Sequence, residues 1–385
     1  MLANRINSIT IRNFRSLADV TVDMEDLTVL VGANGTGKSN FLKALGFVRD
    51  VVHDYLGLAL YQQGSFVPRQ GAPDPERLSD VEIEIRLRLD GHDAFYSVAF
   101  GPDGRNGNAL NHEVGEIGKY KYEVTGNAIT SSFDLGNSII SGFPDTLTLQ
   151  VAPFIKEFAP FIALNEFLAN LRVYSIFPKD LRELGPQSQQ RLLLADNGEN
   201  LPTLLQDFVD NADDKKKQSF YEELERIVPG IGTYTPFQST SNDPISVSSI
   251  SGFLVVTIRH SDSRGELFLN SESDGTIRAL ALLMALNQTP GPSIIGIEEP
   301  ELMLHPEAMG VLADVIREAS FRSQVILTTH SPDLITNFPI KSLRIVDLEN
   351  GATKIGPVRE DQRQIVEESL FGSGNLLRLG GLARE

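Results

Sequence analysis

Eight residues near the N-terminus carry the pattern of a phosphate-binding loop. The stretch GANGTGKS, Gly32 to Ser39, fits G-x-x-x-x-G-K-[S/T], with an apolar run before it and a helical pattern after it. Gly35 and Gly37 allow a tight turn whose backbone N–H groups point at phosphate oxygens, and the start of the helix adds positive potential. Lys38 would reach the β- and γ-phosphates, and Ser39 would offer its hydroxyl to Mg²⁺. The loop predicts binding of a nucleoside triphosphate.

Two adjacent carboxylates end a later apolar run, SIIGIEEPELMLHP. Glu298 and Glu299 would repel each other at the tip of a buried parallel strand unless a cation or a polar ligand neutralises them. We expect Glu298 to hold Mg²⁺ through water. We expect Glu299 to orient or deprotonate an attacking water.

The next apolar run, QVILTTHSPDLI, ends in Thr328, Thr329, His330 and Ser331. Ligands of open α/β sheets bind at the carboxyl ends of the strands. His330 is therefore expected beside the γ-phosphate, where it could hydrogen-bond the phosphate and respond to its loss.

A polar cap precedes an apolar helix in NSESDGTIRALALLMAL, which begins at Asn270. A helix start with Ser273, Gly275 and Thr276 offers free N–H groups at the positive end of the helix dipole, which favours binding of an anion. The alternative is an ordinary N-cap, in which Ser273 or Thr276 bonds backbone N–H groups.

Taken together, these motifs resemble the ATP-binding-cassette superfamily, in the branch of structural-maintenance-of-chromosomes-type repair ATPases, overcoming-lysogenization-defect nucleases and phage-defence ATPases. The resemblance implies that Ser273 and Gly275 form a signature motif that contacts the γ-phosphate of ATP held by a second molecule. It thereby implies a head-to-tail homodimer enclosing two ATP molecules with Mg²⁺. Within and beside the phosphate loop, the expected nucleotide contacts include Asn34 and Asn40.

Similarity to this family extends along most of the chain. ITIRNFRSLADVTV resembles the first two strands of these ATPases, and that resemblance places the turn with Arg15 near the nucleotide. YSIFPKDLR and LADNGENLPTLL resemble segments of a predicted-ATPase subfamily. The chain departs from the family pattern at Glu298, where the family has Asp. The glutamine of the family's Q-loop is not identified, because Gln62, Gln63 and Gln70 all lie in predicted loops.

The pattern of apolar residues predicts an α/β fold with a parallel sheet, and the resemblance implies that the fold is of the ABC-type P-loop NTPase class. Strands are expected at Ile6 to Ile11, Val20 to Met24 and Leu27 to Val31, followed by a helix from Ser39 to Val52. VEIEIRLRLD, from Val81, alternates strictly and predicts a half-buried strand. We expect an N-terminal ATPase part with an antiparallel β lobe at 1–150, an inserted helical lobe at 151–244, and a C-terminal ATPase part at 245–385.

Composition narrows the classes of function. The chain has 385 residues, a net charge of -17 and no cysteine, and its apolar runs are too short for a membrane span. The cytoplasm is the expected compartment. The acidic balance disfavours a nucleic-acid binder whose whole surface is basic, although it leaves a local basic groove open.

Two functional interpretations follow from the motifs. The first is an ATPase switch that senses DNA or RNA and controls an effector in DNA repair or phage defence. About 55 residues follow His330, fewer than an ordinary catalytic domain needs, so a separately encoded nuclease is expected. The alternative is a regulatory or scaffold ATPase that binds a protein partner through its acidic surface. A small-molecule P-loop kinase would leave the polar cap at Ser273 unexplained.

Overall fold

The computed structural model describes residues 4–53, 80–102, 108–126, 128–134, 147–182, 193–231, 243–250, 252–261, 265–368 and 372–385. Within these ranges the strands form three sheets. None of the helices in these ranges has both the length and the apolar character that crossing a bilayer requires.

The central sheet has the strand order β16-β15-β3-β14-β13-β9 among the described strands. Its members are β3 (Leu27–Val31), β9 (Arg172–Tyr174), β13 (Ile294–Glu298), β14 (Gln324–Thr329), β15 (Leu343–Glu349) and β16 (Ala352–Pro357). Neighbouring strands pair in parallel except β15 and β16, which are antiparallel. Because β3, β13 and β14 are parallel neighbours, the segments that follow them leave the sheet at one edge.

An antiparallel sheet has the order β2-β1-β4-β5-β6-β7-β8. Its strands are β1 (Arg5–Phe14), β2 (Leu17–Asp23), β4 (Val81–Leu89), β5 (His92–Pro102), β6 (Asn108–Ile117), β7 (Tyr120–Thr125) and β8 (Ala128–Ser131). In β4 the residues Val81, Ile83, Ile85, Leu87 and Leu89 are buried, as the strict alternation of its sequence predicts. The third sheet, which is also antiparallel, contains β10 (Ile245–Ile250), β11 (Phe253–Arg259) and β12 (Glu266–Phe268).

The α-helices among the described residues are α1 (Lys38–His53), α2 (Thr148–Val151), α3 (Ile162–Ala169), α4 (Pro178–Leu181), α5 (Leu201–Asn211), α6 (Asp214–Ile227), α7 (Asp274–Asn287), α8 (Met309–Ala319), α9 (Pro332–Ile335), α10 (Glu360–Glu367) and α11 (Ser373–Arg378). Alternate side chains of the central sheet face two separate cores. Val29 and Val31 pack with α5 to α8, while Leu30 packs with α1, α3 and the antiparallel sheet. The β3 strand is buried on both faces, which is why its sequence is an unbroken apolar run.

The predicted order of elements agrees with the structure around the motifs. β3 has the predicted bounds, α1 begins one residue before the predicted start, and β13, β14 and the helices that follow them occur in the predicted order. One strand lies inside the range 151–244, where helical patterns dominate. β9, with only three residues, is too short to show a periodicity in the sequence, yet it forms an edge of the central sheet.

Candidate nucleotide-binding site

The loop GANGTGKS joins β3 to α1, as the phosphate-binding pattern requires. Gly37 has a φ of +106°, and a Cβ at this position would overlap the hydroxyl of Thr353. At Gly32, a Cβ would overlap the carbonyl oxygen of Val346. These two glycines are therefore required because β15 and β16 pack directly against the loop.

Lys38, the invariant cation of such a loop pattern, is 5% exposed. Its Nζ donates to the carbonyl oxygens of Gly32 at 2.7 Å and Ala33 at 2.9 Å. Since an ammonium has three N–H donors, one donor remains for a ligand. Burial lowers the pKa of Lys38, and the charges of Glu299 and Glu301 oppose that shift. A buried cation thus faces two carboxylates across the site.

A network of side-chain hydrogen bonds holds the phosphate loop in place. The Thr353 Oγ1 donates to the Thr36 carbonyl at 2.7 Å and lies 2.7 Å from the Ser16 Oγ. The Asn40 Nδ2 donates to the same Ser16 Oγ at 2.8 Å. These contacts connect the loop and the first turn of α1 to the β1–β2 turn and to β16. Arg15, the other turn residue, is half-buried with its guanidinium 5.6 Å from the centroid of the Phe14 ring.

Glu298 is the last residue of β13, beside the end of β9. The Ser175 hydroxyl donates to its Oε2 at 2.9 Å. The other oxygen, Oε1, is buried and has no hydrogen-bond partner among the described residues. A buried carboxylate oxygen without a partner is costly, so this atom fits a position facing a cation or its bound water.

Glu299 has a left-handed backbone, with φ of +43°, which costs about 1–3 kcal/mol for a residue other than glycine. Its N–H donates to the Thr328 carbonyl at 3.0 Å, and its own carbonyl accepts from the Arg278 Nη2 at 2.7 Å. These bonds on both sides of the residue hold the strained conformation. Arg278 is 1% exposed, and it also donates to the carbonyls of Ile176 and Glu298.

His330 follows β14 and lies between two carboxylates. Its Nδ1 is 3.5 Å from the Glu299 Oε1 and 3.7 Å from the Glu301 Oε1. Glu301 is buried, and its Oε1 accepts from the Thr329 hydroxyl at 2.5 Å and from the His330 N–H at 3.2 Å. The structure therefore brings the two acids of the loop and His330 together.

Ser273 is the N-cap of α7. Its Oγ accepts from the Thr276 N–H at 3.1 Å, which is the ordinary capping contact that the sequence left open as an alternative. The N–H groups of Asp274 and Gly275, in the first helical turn, have no intrahelical acceptor. A Cβ at Gly275 would lie 2.7 Å from the Met303 carbonyl oxygen, in the loop that follows β13. The cap therefore packs against the loop that carries the acidic residues.

Several residues of the site could not be assigned from the sequence motifs. Glu301, Thr353 and Ser175 contact motif residues only in the folded chain. Arg278 did carry a signal, because a single arginine within the apolar run IRALALLMAL must find acceptors when the helix is buried. The Q-loop candidates Gln62, Gln63 and Gln70 lie outside the described residues.

No group of three or more His, Asp or Glu side chains in the described ranges could hold a metal ion by itself. A magnesium site here would therefore combine few protein ligands, such as Ser39 and Glu298, with phosphate oxygens and water.

Comparison with known families identifies the class of domain. The family model described as "AAA domain, putative AbiEii toxin, Type IV TA system" matches residues 118–336, more than half of the chain. A second model, "AAA ATPase domain", matches residues 5–87 and includes the phosphate loop.

Three curated relatives are nucleases. The Old nuclease of Escherichia phage P2 is 23% identical over 402 residues, which cover 95% of this chain and 63% of the relative. Endonuclease GajA of Bacillus cereus is 24% identical, covering 86% of this chain and 56% of the relative. The OLD nuclease of Thermus scotoductus is 22% identical, covering 98% and 68%. The chain thus spans between 56% and 68% of the length of these relatives.

Solved structures show the same fold. The chain resembles an Smc head bound to the C-winged helix domain of ScpA, with a TM-score of 0.58, 14% identity and coverage of 93% of this chain and 99% of that one. An Smc head with an extended coiled coil from Pyrococcus furiosus gives a TM-score of 0.59, 15% identity and coverage of 95% and 99%. The predicted fold, an ABC-type P-loop NTPase, is confirmed.

Proposed function

Because the chain belongs to the AAA-domain family, we propose that it is an ATP-hydrolysing switch whose two copies close head-to-tail around two molecules of ATP. The observation that carries this proposal is the meeting of three strand ends at one edge of the central sheet. The phosphate loop follows β3, the acids end β13 and His330 follows β14, and the pairing of these parallel strands together with the 3.5 Å between His330 and Glu299 supports a shared nucleotide site.

Within one chain, we assign binding of the triphosphate to the backbone of Gly32, Asn34, Gly35 and Gly37 and to the side chain of Lys38. The buried ammonium of Lys38 has one donor for a phosphate oxygen, in a site of low dielectric where that bond is strong. Asn40 donates to the Ser16 hydroxyl and Arg15 precedes Ser16 in the chain, and we assign both residues supporting roles at the nucleotide.

The residues present fit a divalent cation. Mg²⁺, when bound, would neutralise charge on the phosphates and so favour attack by water. Ser39 would offer its hydroxyl to the ion, and Glu298 would face it with the buried oxygen that has no partner among the described residues. Glu299 would orient the attacking water and accept its proton, and His330 would hydrogen-bond the γ-phosphate.

A second chain would complete each site. One chain has one phosphate loop and one polar cap, and the resemblance assigns the two to different nucleotides. Ser273 and Gly275 would then donate to the γ-phosphate held by the partner. Shifting an open/closed equilibrium from 1:99 to 99:1 takes about 5.5 kcal/mol. Each site must therefore supply about half, which a few charge-assisted hydrogen bonds at ~1.5–3 kcal/mol apiece can provide. Hydrolysis removes these bonds and opens the dimer.

Closure would move the two attached lobes and act on an effector. We propose domain parts at 1–150, 151–244 and 245–385, with the central sheet assembled from all of them. The nuclease names of the relatives favour an effector directed at DNA or RNA, in phage defence or repair.

The test is ATP turnover with and without DNA or RNA at several salt concentrations. Stimulation that decreases steeply as salt increases is expected if phosphate contacts mediate binding. Absence of both stimulation and binding would eliminate nucleic acid as the direct ligand.

The net charge of -17 favours one other candidate, a scaffold ATPase that binds a basic protein partner. Affinity capture of one stoichiometric protein, with turnover that nucleic acid leaves unchanged, would support this alternative.

A further inference from the structure

Arg182, which follows α4, binds the segment that leads into the polar cap. Its guanidinium donates to the carbonyl of Asn270, to the carbonyl of Glu272 at 2.9 Å and to the carboxylate of Asp274 at 2.6 Å. One planar group with a fixed set of donors thus holds acceptors on both sides of Ser273. The short cap segment has little freedom to change shape while these three bonds exist.

The same segment is anchored from its other side by a buried pair. The Glu272 Oε1 lies 2.6 Å from the His260 Nε2, and both residues are less than 5% exposed. His260 follows β11, so its position is set by the three-stranded sheet. Glu272 is therefore held at two points. Its carboxylate pairs with His260, which follows the sheet strand β11, and its carbonyl accepts a hydrogen bond from Arg182.

We propose that Arg182 is a positioning residue that presents Ser273 and Gly275 to the nucleotide of the partner chain. This inference rests on the proposed head-to-tail dimer. Backbone N–H groups stabilise a phosphate effectively only when they already point to its binding position before it binds. Arg182 does not need to touch ATP for this effect, because it fixes the cap that does.

The position of Arg182 predicts which of the two nucleotides in the dimer its loss would affect. Its three acceptors all belong to the cap segment, and the cap serves the ATP of the other subunit. Loss of Arg182 should therefore leave the nucleotide of its own chain intact and impair the nucleotide opposite. A residue with a merely structural role would impair both.

The first experiment compares Arg182→Ala with Arg322→Ala in the full chain. Arg322 is the matched control, because it also pairs with a carboxylate and donates to a carbonyl of the α7 helix, at Leu286 near the helix end far from the cap. We expect Arg182→Ala to keep the ATP Kd of the monomer within about two-fold and to lower kcat by about 10- to 100-fold, since misplacement by ~1 Å costs up to about 100-fold. Wild-type kcat in Arg182→Ala would overturn the inference.

The second experiment mixes the slowed variant Arg182→Ala with the inactive variant Glu299→Gln. In a mixed dimer, the phosphate loop and Glu299 of the first chain meet the intact cap of the second, so one site works. Random pairing makes half of the dimers mixed, and the mixture should recover about one quarter of the wild-type rate per subunit.

A parallel mixture of Ser273→Arg and Glu299→Gln tests the head-to-tail dimer separately from the positioning role of Arg182. If this mixture recovers activity and the Arg182→Ala mixture does not, Arg182 acts on the nucleotide of its own chain and the inference is wrong. If neither mixture recovers activity, the head-to-tail dimer is wrong and the inference is wrong with it. Recovery in both mixtures supports both.

Discussion

Thr353→Val tests whether the phosphate loop depends on a strand more than 300 residues away in the sequence. Thr353 is fully buried, and its hydroxyl donates to the Thr36 carbonyl and contacts the Ser16 hydroxyl. Valine keeps the shape of the side chain and removes both interactions. The Thr36 carbonyl oxygen then loses its hydrogen-bond donor and faces an apolar methyl group instead. Leaving this buried acceptor unsatisfied costs about 1–3 kcal/mol of free energy.

This cost must appear in one of two measurable quantities. If the loop stays against β16, the free energy of unfolding decreases by about 1–3 kcal/mol. If the loop moves away to find water, ATP binding must restore the contact, and the Kd for ATP increases by about 5- to 150-fold. Urea unfolding and equilibrium titration with a fluorescent ATP analogue measure the two quantities.

A matched control is Thr21→Val, at an exposed hydroxyl pair between Thr10 and Thr21 in the antiparallel sheet. It removes a threonine hydroxyl and its partner contact without burying an unpaired group, so both quantities should remain near wild type. Wild-type stability and wild-type ATP affinity in Thr353→Val would refute the claim that β16 holds the loop.

Two further predictions concern the proposed nucleotide site. Lys38→Ala should abolish detectable ATP binding while the chain remains folded by circular dichroism, because Lys38 supplies the cation for the phosphates; retained micromolar binding would contradict its assigned role. Ser273→Arg should bind ATP with wild-type Kd in titration yet show turnover at least about 100-fold slower, as expected when one anion-binding contact is lost; full turnover would exclude a function of the cap in trans.

The motifs could be predicted from the sequence wherever a run of neighbouring residues carries the whole signal. β3 is apolar because both of its faces are buried, and Gly32 and Gly37 of GANGTGKS leave no room for a Cβ because β15 and β16 approach the loop. The polar groups that follow β13 and β14 could be placed at one edge, because parallel strands bring their carboxyl ends together.

The remaining contacts depend on the folded chain. Thr353 is 317 residues from its acceptor, and Arg182 is 88 to 92 residues from its three acceptors. No local pattern predicts such pairs, since each joins a single polar side chain to an acceptor at an unrelated position in the sequence. Glu301 is the third acid in EEPE, yet its contacts with Thr329 and the His330 N–H also form only in the folded chain.

The claim that two chains share each ATP is tested most directly by the molar mass of the Glu299→Gln variant in solution. Light scattering measures this mass with and without ATP and Mg²⁺. Glu299→Gln should bind ATP without hydrolysing it, so we expect the mass to change from the 42.3 kDa of one chain to twice that value when ATP is added. Adding Ser273→Arg to the same chain should return the mass to 42.3 kDa. An ATP-independent mass, or a dimer that persists with Ser273→Arg, would contradict the account.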